Sequence, residues 1–336
     1  MKKKFLIFLT VSFIFWSGIT VIQTAQEISA TEISNIKANT NMQKAKVIKQ
    51  PISQNPYLTN EQFKQLLKLL KPSYEKYLKD QKSNGTVNKE TSSTTPNKQP
   101  NKKTKNAISL MIFIANDNSL TVKQRQAAKN AANLLKTGKL NNQPAPSWFK
   151  KYVDLTSPQD ATNSSNIRVS LKNLAKVNQV RTAIGEKALK VSLPLIAISM
   201  IDADYQKRGG LTQPHYYEYT NNLENIAGGT EPVAKWLSEE INWKWDVKKT
   251  PSLAPNEFSP NWSNIKYDNA VFGTNGYKTA GHYLNLVNKQ HRVMGMAHMT
   301  KSNYGFVDIL NAKSKDSSSA ISFNQYKNLV TKWLKK

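Results

Sequence analysis

The sequence predicts an α+β fold after residue 107, and three observations carry that prediction. Apolar residues recur there at helical spacing in one segment after another, two runs of alternating apolar residues stand late and adjacent, and the regular strand–helix alternation of a parallel sheet is missing. Seven Trp, eleven Phe and thirteen Tyr among 336 residues supply bulky surface for a core. A mean hydropathy of -0.56 excludes a multi-span membrane protein. The lack of cysteine excludes disulfides, thiolate metal sites, cysteine nucleophiles and a lipid-modified cysteine.

Residues 1–30 are expected to be a secretory signal. Lys2, Lys3 and Lys4 precede an uncharged apolar run, Phe5 to Ile22, and a polar stretch that offers cleavage after Ala25 or Ala30. An uncleaved anchor is the alternative reading of the same run. Residues 31–106 form a basic low-complexity region with one amphipathic helix, built on Phe63, Leu66, Leu67, Leu70, Tyr74 and Leu78 and kinked or broken at Pro72. Gln81 to Asn106 holds almost nothing apolar to offset the entropy of ordering, and reads as a flexible linker.

Residues 107–164 read as a helical region. Ala107 to Ala115 is an apolar run that suits either a strand or a buried helix, and Thr121 to Thr137 is a helix stopped by Gly138. Residues 165–312 read as the main domain. Leu171, Leu174, Asn178 and Arg181 mark one helix, and Ser192 caps a second that tolerates Pro194 in its first turn and runs to Tyr205 before Gly209 and Gly210. A third follows Pro232 with Val233, Trp236, Leu237, Glu240 and Ile241 on one face, and a fourth covers Lys278 to Asn288. Arg292 to Thr300 and Tyr304 to Leu310 form a β-hairpin. Residues 313–336 end in an amphipathic helical tail from Ser322, built on Phe323, Tyr326, Leu329, Val330, Trp333 and Leu334.

The net charge of +26 is concentrated outside the main domain: residues 31–164 carry 22 basic and 8 acidic side chains, against 17 and 12 in residues 165–312. Extended cationic segments would hold an exported protein near anionic cell-wall polymers or an anionic membrane surface, through an interaction that salt screens. Lysines that merely keep the linker soluble are the alternative. Nucleic acid is not an expected partner, because no groove-reading helix or aromatic-interleaved basic motif is present.

HExxH, GxSxG, Walker A and GxGxxG signatures are all missing. What remains is an ordered series: Asn178-x-x-Arg181, Leu189-Lys190-Val191, His215, Glu224-Asn225-Ile226, Trp236-x-x-Glu239, and Gly281-His282-Tyr283 before a strand that bears Gly295. This series resembles the CAP superfamily of cysteine-rich secretory and pathogenesis-related proteins, in a cysteine-free bacterial form, and the upstream helices and basic context resemble its Gram-positive surface-exclusion subgroup. The resemblance implies an α-β-α sandwich with a cavity lined by His215, Glu224, Glu239 and His282. It also implies that His215 and His282 can hold a divalent metal such as zinc, since neutral imidazoles are good zinc ligands that carboxylates can orient.

Glu240 competes with Glu239 for the acidic position. The aromatic stretch between Glu239 and His282, with Trp243, Trp245, Phe258, Trp262, Tyr267 and Phe272, is expected to form a lid or rim. His291 and His298 read as ordinary residues of a turn and a strand, Trp236 as core, and Gly281 and Gly295 as points of close backbone approach.

Two functions follow. The first is an exported, cell-surface-associated interaction protein that takes a protein or small-molecule ligand, with surface exclusion during conjugation as its narrower form. The second is a metal-dependent hydrolase of peptide, nucleic acid or wall polymer, in which Glu224 or Glu239 is the base. The first is favoured, because the sequence supplies neither a dedicated nucleophile nor an oxyanion hole.

Overall fold

The computed structural model describes residues 105–141, 143–214, 223–315 and 318–336. The expected signal, the helix around Phe63 to Leu78, the linker up to residue 104 and His215 lie outside them. All described residues belong to one compact unit.

The chain begins with α1 (Ala107–Ala115), which settles the ambiguous apolar run as a buried helix. The deciding signal is a capping box: the Asn106 side chain accepts from the Ser109 amide, and Ser109 Oγ accepts from the Asn106 amide. Asn106 is therefore the start of a helix and not the end of the linker. Next come α2 (Val122–Thr137), capped by Thr121 and closed by Gly138 in the left-handed region, the short α3 (Phe149–Tyr152), and α4 (Ser164–Ala183). β1 (Lys190–Val191) leads into α5 (Leu193–Tyr205), where Ser192 accepts from the Leu195 amide and Pro194 sits in the first turn.

β2 (Leu223–Gly228) is followed by α6 (Pro232–Ser238) and α7 (Glu240–Lys249), with a break at Glu239. The single helix expected there is two, and the break turns Ile241 outward, leaving it 51% exposed instead of on the buried face. α8 (Ile265–Phe272) and α9 (Gly281–Val287) follow, the latter shorter than the expected 278–288 helix. β3 (Val293–Ser302) and β4 (Gly305–Lys313) form the expected hairpin, and α10 (Phe323–Lys335) starts at its Ser322 cap.

The structure is thus mixed helix and sheet, with one four-stranded sheet among the described residues in the order β1-β3-β4-β2. The hairpin forms its centre, β1 runs parallel to β3, and β2 runs antiparallel to β4. Central β4 is buried on both faces from Val307 to Ala312, as a strand covered on two sides must be.

α5 packs across β3 and β4, and at Gly295 of β3 the approach is backbone to backbone. A Cβ on Gly295 would lie 2.1 Å from the Leu195 carbonyl carbon, so only glycine fits. α6 and α9 pack on β2, and α10 lies against α1, α4 and β1. Tyr326, Leu329, Val330 and Trp333 of α10 are buried in the same core as Val191 and Leu110. No helix among the described residues is long and apolar enough to cross a membrane.

The Asn178 and Arg181 pair of α4 holds loops in place. Asn178 exchanges two hydrogen bonds with the Leu189 backbone, while the fully buried Arg181 donates to the carbonyls of Lys187, Leu286 and Asn288. These bonds fix the chain at the end of α9, beside the site described next.

Candidate functional site

A cleft of about 810 Å³ opens along β2, α8 and α9, and Glu224 and His282 both line it. Strand geometry separates the chemistry of β2. Successive side chains of a strand point to opposite faces, so Asn225 meets α9, donating to the His282 carbonyl at 2.9 Å and accepting from Asn285 at 2.8 Å. Glu224 meets β4 and α5. It stands opposite Asn311 in register, and its Oε2 accepts from Asn311 Nδ2 at 3.0 Å.

His282 is the second residue of α9, and Glu239 secures that helix end. One carboxylate oxygen accepts from the His282 amide at 2.9 Å and more distantly from the Tyr283 amide at 3.4 Å, while the other lies 2.6 Å from His282 Nδ1. The unpaired N–H groups of a helix start and the charge of a carboxylate suit one another. With Nδ1 held by a carboxylate, Nε2 is the nitrogen left for a ligand, which is the arrangement of metal-binding or basic imidazoles. Glu239 stands behind His282 and outside the lining. Gly281 makes the turn possible, since a Cβ there would come within 2.7 Å of the Val271 carbonyl oxygen.

Glu240 does not compete for the site. It is fully buried with an ion pair to Lys244 at 2.8 Å, and burial raises its carboxyl above the usual range. Near it, Glu257 accepts from the Tyr283 hydroxyl, and burial pushes its carboxyl up to about 7.

The aromatic stretch divides. Trp262, Tyr267 and Phe272 line the cleft, with Trp262 and Phe272 49% and 64% exposed at its edge. Trp243 is core, Phe258 packs against the core, and Trp245 stands on the surface beneath the ammonium groups of Lys249 and Lys278. Only part of the expected rim is therefore a rim.

Two residues of this region escaped the sequence reading. His291, read as an ordinary turn residue, lines the cleft; burial and the nearby Arg181 charge lower its imidazole to about 3, so it is neutral. Asp202 of α5 is 2% exposed, and burial first, then the Glu224 charge, raise its carboxyl well above the usual range. The signal was an aspartate directly after the largely apolar stretch from Leu193 to Ile201. His298 is a strand residue, as expected, opposite Asp308 and 3.0 Å from its carboxylate.

A comparison with protein-family models matches residues 174–311 to CAP, the cysteine-rich secretory protein family. This supports the CAP superfamily for that stretch, which contains β2, α9 and the cleft residues Glu224 and His282. A search of the curated proteins and a search of the solved structures returned no match.

Proposed function

We propose that this chain is an exported, cell-surface-associated CAP-like interaction protein that takes a ligand in the cleft beside His282. In this reading the CAP region is an α-β-α sandwich, and the basic segment ahead of it keeps the protein near anionic wall polymers or an anionic membrane surface. The supporting observation is the His282–Glu239 pair: one carboxylate oxygen fixes an imidazole that lines an otherwise amide-rich and aromatic cleft, and the other accepts from the backbone amide of the same residue.

His282 has the oriented ring of a zinc ligand, and His215 is the second imidazole the sequence offers. Among the described residues no cluster of three His, Asp or Glu forms a metal cage. A divalent ion such as zinc, held by His215 and His282, would supply a positive charge with open coordination positions to a ligand. Calorimetric titration of zinc into the full chain is the test. Binding that weakens about tenfold or more in His282→Ala, with the fold retained, supports the site, and equal binding by both proteins rejects it.

The narrower role is surface exclusion, in which the protein on a recipient cell hinders mating contact. Its support is the order of the motifs and the basic export context. Plasmid uptake by recipients with and without the gene decides it, and equal uptake removes it. A second reading, hydrolysis, draws on the same pair, because an imidazole oriented by a carboxylate can take a proton. Glu239→Gln should then abolish turnover of a peptide, nucleic acid or wall polymer while leaving the protein folded.

A further inference from the structure

Residues 241–279 gather an exposed apolar surface. Five of the eight exposed large apolar side chains among the described residues fall within them: Ile241 and Trp245 of α7, Trp262, and Ile265 and Phe272 of α8. Ile241 and Trp245 are one helical turn apart and Ile265 and Phe272 two, so each pair shares one face of its helix. Between the two helices the Asn242 side chain donates to the Thr279 carbonyl at 2.7 Å, and the Thr279 hydroxyl donates to the Val271 carbonyl at 3.0 Å. These bonds tie the start of α7 to the end of α8, beside Phe272.

The same segment holds five lysines and three acids. The acids turn inward: Asp246 and Glu257 are fully buried and Asp268 is half-buried, whereas Lys248, Lys249, Lys266 and Lys278 are exposed. Folding therefore leaves this face positive. Lysine and apolar surface also meet directly, since the ammonium groups of Lys278 and Lys249 lie 4.9 and 5.6 Å from the centre of the exposed Trp245 ring.

We propose that this face docks on a lipid bilayer rich in anionic headgroups. Ile241, Trp245, Ile265 and Phe272 enter the boundary between headgroups and acyl chains, and the lysines reach the phosphates on their flexible stems. Tryptophan flanked by lysine suits that boundary, where one end of the indole meets hydrocarbon and the other meets water. Charge and polarity argue against other occupants. A second copy of the chain would set a positive face against itself, and a wall polymer of polyol and phosphate would answer the lysines but offer nothing to Ile241, Ile265 and Phe272. Because Trp262 and Phe272 also line the cleft, docking turns its mouth toward the membrane.

The test reads which tryptophans meet lipid. The expected signal run and the basic segment can hold the full chain on a vesicle by themselves, so bulk binding does not decide the matter. The full chain is labelled with fluorotryptophan, and its seven fluorine signals are assigned by single Trp→Phe replacements. It is then added to vesicles of phosphatidylcholine and phosphatidylglycerol that carry a lipid spin-labelled near the headgroup. Broadening is expected at Trp245 and Trp262 and not at Trp148 or Trp333. Equal broadening of all four, or none at Trp245 and Trp262, overturns the docking face, and equal broadening on phosphatidylcholine alone overturns the part given to the lysines.

Ile241→Glu combined with Ile265→Glu should lose the broadening at Trp245 and Trp262, and unchanged broadening rejects the face. Should that variant not fold, Lys248→Glu with Lys266→Glu reads the charged half in the same way. Signals at Trp245 and Trp262 that shift with protein concentration in the absence of vesicles assign the face to a second copy, and shifts with soluble inorganic polyphosphate but no broadening on vesicles assign it to a wall polymer. Either result overturns the proposal. Ile241, Ile265 and the four lysines lie outside the cleft lining, so zinc binding at His282 holds or fails independently.

Discussion

Glu239 holds His282 twice, through the backbone amide at 2.9 Å and through ring Nδ1 at 2.6 Å. The carboxylate sits at the break between α6 and α7, so the same residue ends one helical segment, starts the next and orients an imidazole on a third. Glu239→Ala would leave the His282 and Tyr283 amides without their acceptor, at a cost of about 1–3 kcal/mol. Urea unfolding measures that loss. Glu239→Gln keeps one acceptor oxygen and should cost less, while nitrogen-15 NMR of the ring should show a weakened preference for the Nδ1–H tautomer.

Gly295 is the tightest point of the fold. A methyl group there meets backbone atoms of Leu195 and Ile196, not the flexible end of a side chain, so neither partner can turn away. Gly295→Ala should destabilise the protein by more than about 3 kcal/mol by forcing α5 off the sheet. A large fall in melting temperature or loss of soluble protein is expected; an unchanged melting temperature would show that α5 does not pack this closely.

Two buried groups give pH dependences of opposite sign. His291 is held neutral with its imidazole lowered to about 3, below the ordinary value near 6.5. The unfolded chain therefore binds its proton first, and stability present above about 6.5 is lost as pH falls toward about 3. Glu257 is pushed up to about 7, so the native state holds its proton more tightly, and that relative stability is complete below the unfolded value near 4.5 and lost as pH rises through about 7. Glu257→Gln, which can still accept from Tyr283, should be more stable than the parent at pH 8 and close to it at pH 4. Thermal melts across that range read the difference.

Removal of residues 320–336 should prevent folding. Tyr326, Leu329, Val330 and Trp333 are buried against the rest of the core, and each such side chain is worth about 1.5–3 kcal/mol. Together they approach the whole stability of about 5–15 kcal/mol expected of a domain. The same cut also removes the Ile321 backbone, which exchanges two hydrogen bonds with Val191 at the edge of the sheet. Circular dichroism of the truncated protein checks this, and a native spectrum would contradict it.

Local signals were legible wherever a side chain acts on its own backbone. Thr121, Ser192 and Ser322 cap the helices their spacing suggested, and Gly138 ends α2 in the left-handed conformation that glycine adopts without strain. The break at Glu239 was not legible, because Val233 to Ile241 keeps a helical period and the carboxylate is drawn away by amides of α9, 43 and 44 positions further on. Asp202 was missed for a similar reason: an aspartate at the end of a largely apolar run is buried only because its helix packs across the sheet.

The sequence by itself determined the mixed α+β class, the hairpin, the helix caps and the positions of Glu224, Glu239 and His282 within a recognisable motif order. These are set by spacing and by contacts a few residues long. Only the tertiary structure decided that Glu239 stands behind His282, that Glu240 belongs to the core, that His291 joins the cleft and that Asp202 is buried. Those outcomes depend on which face of β2 each side chain takes and on what α5 and α9 bring to it, and strand register and helix packing are properties of the folded whole.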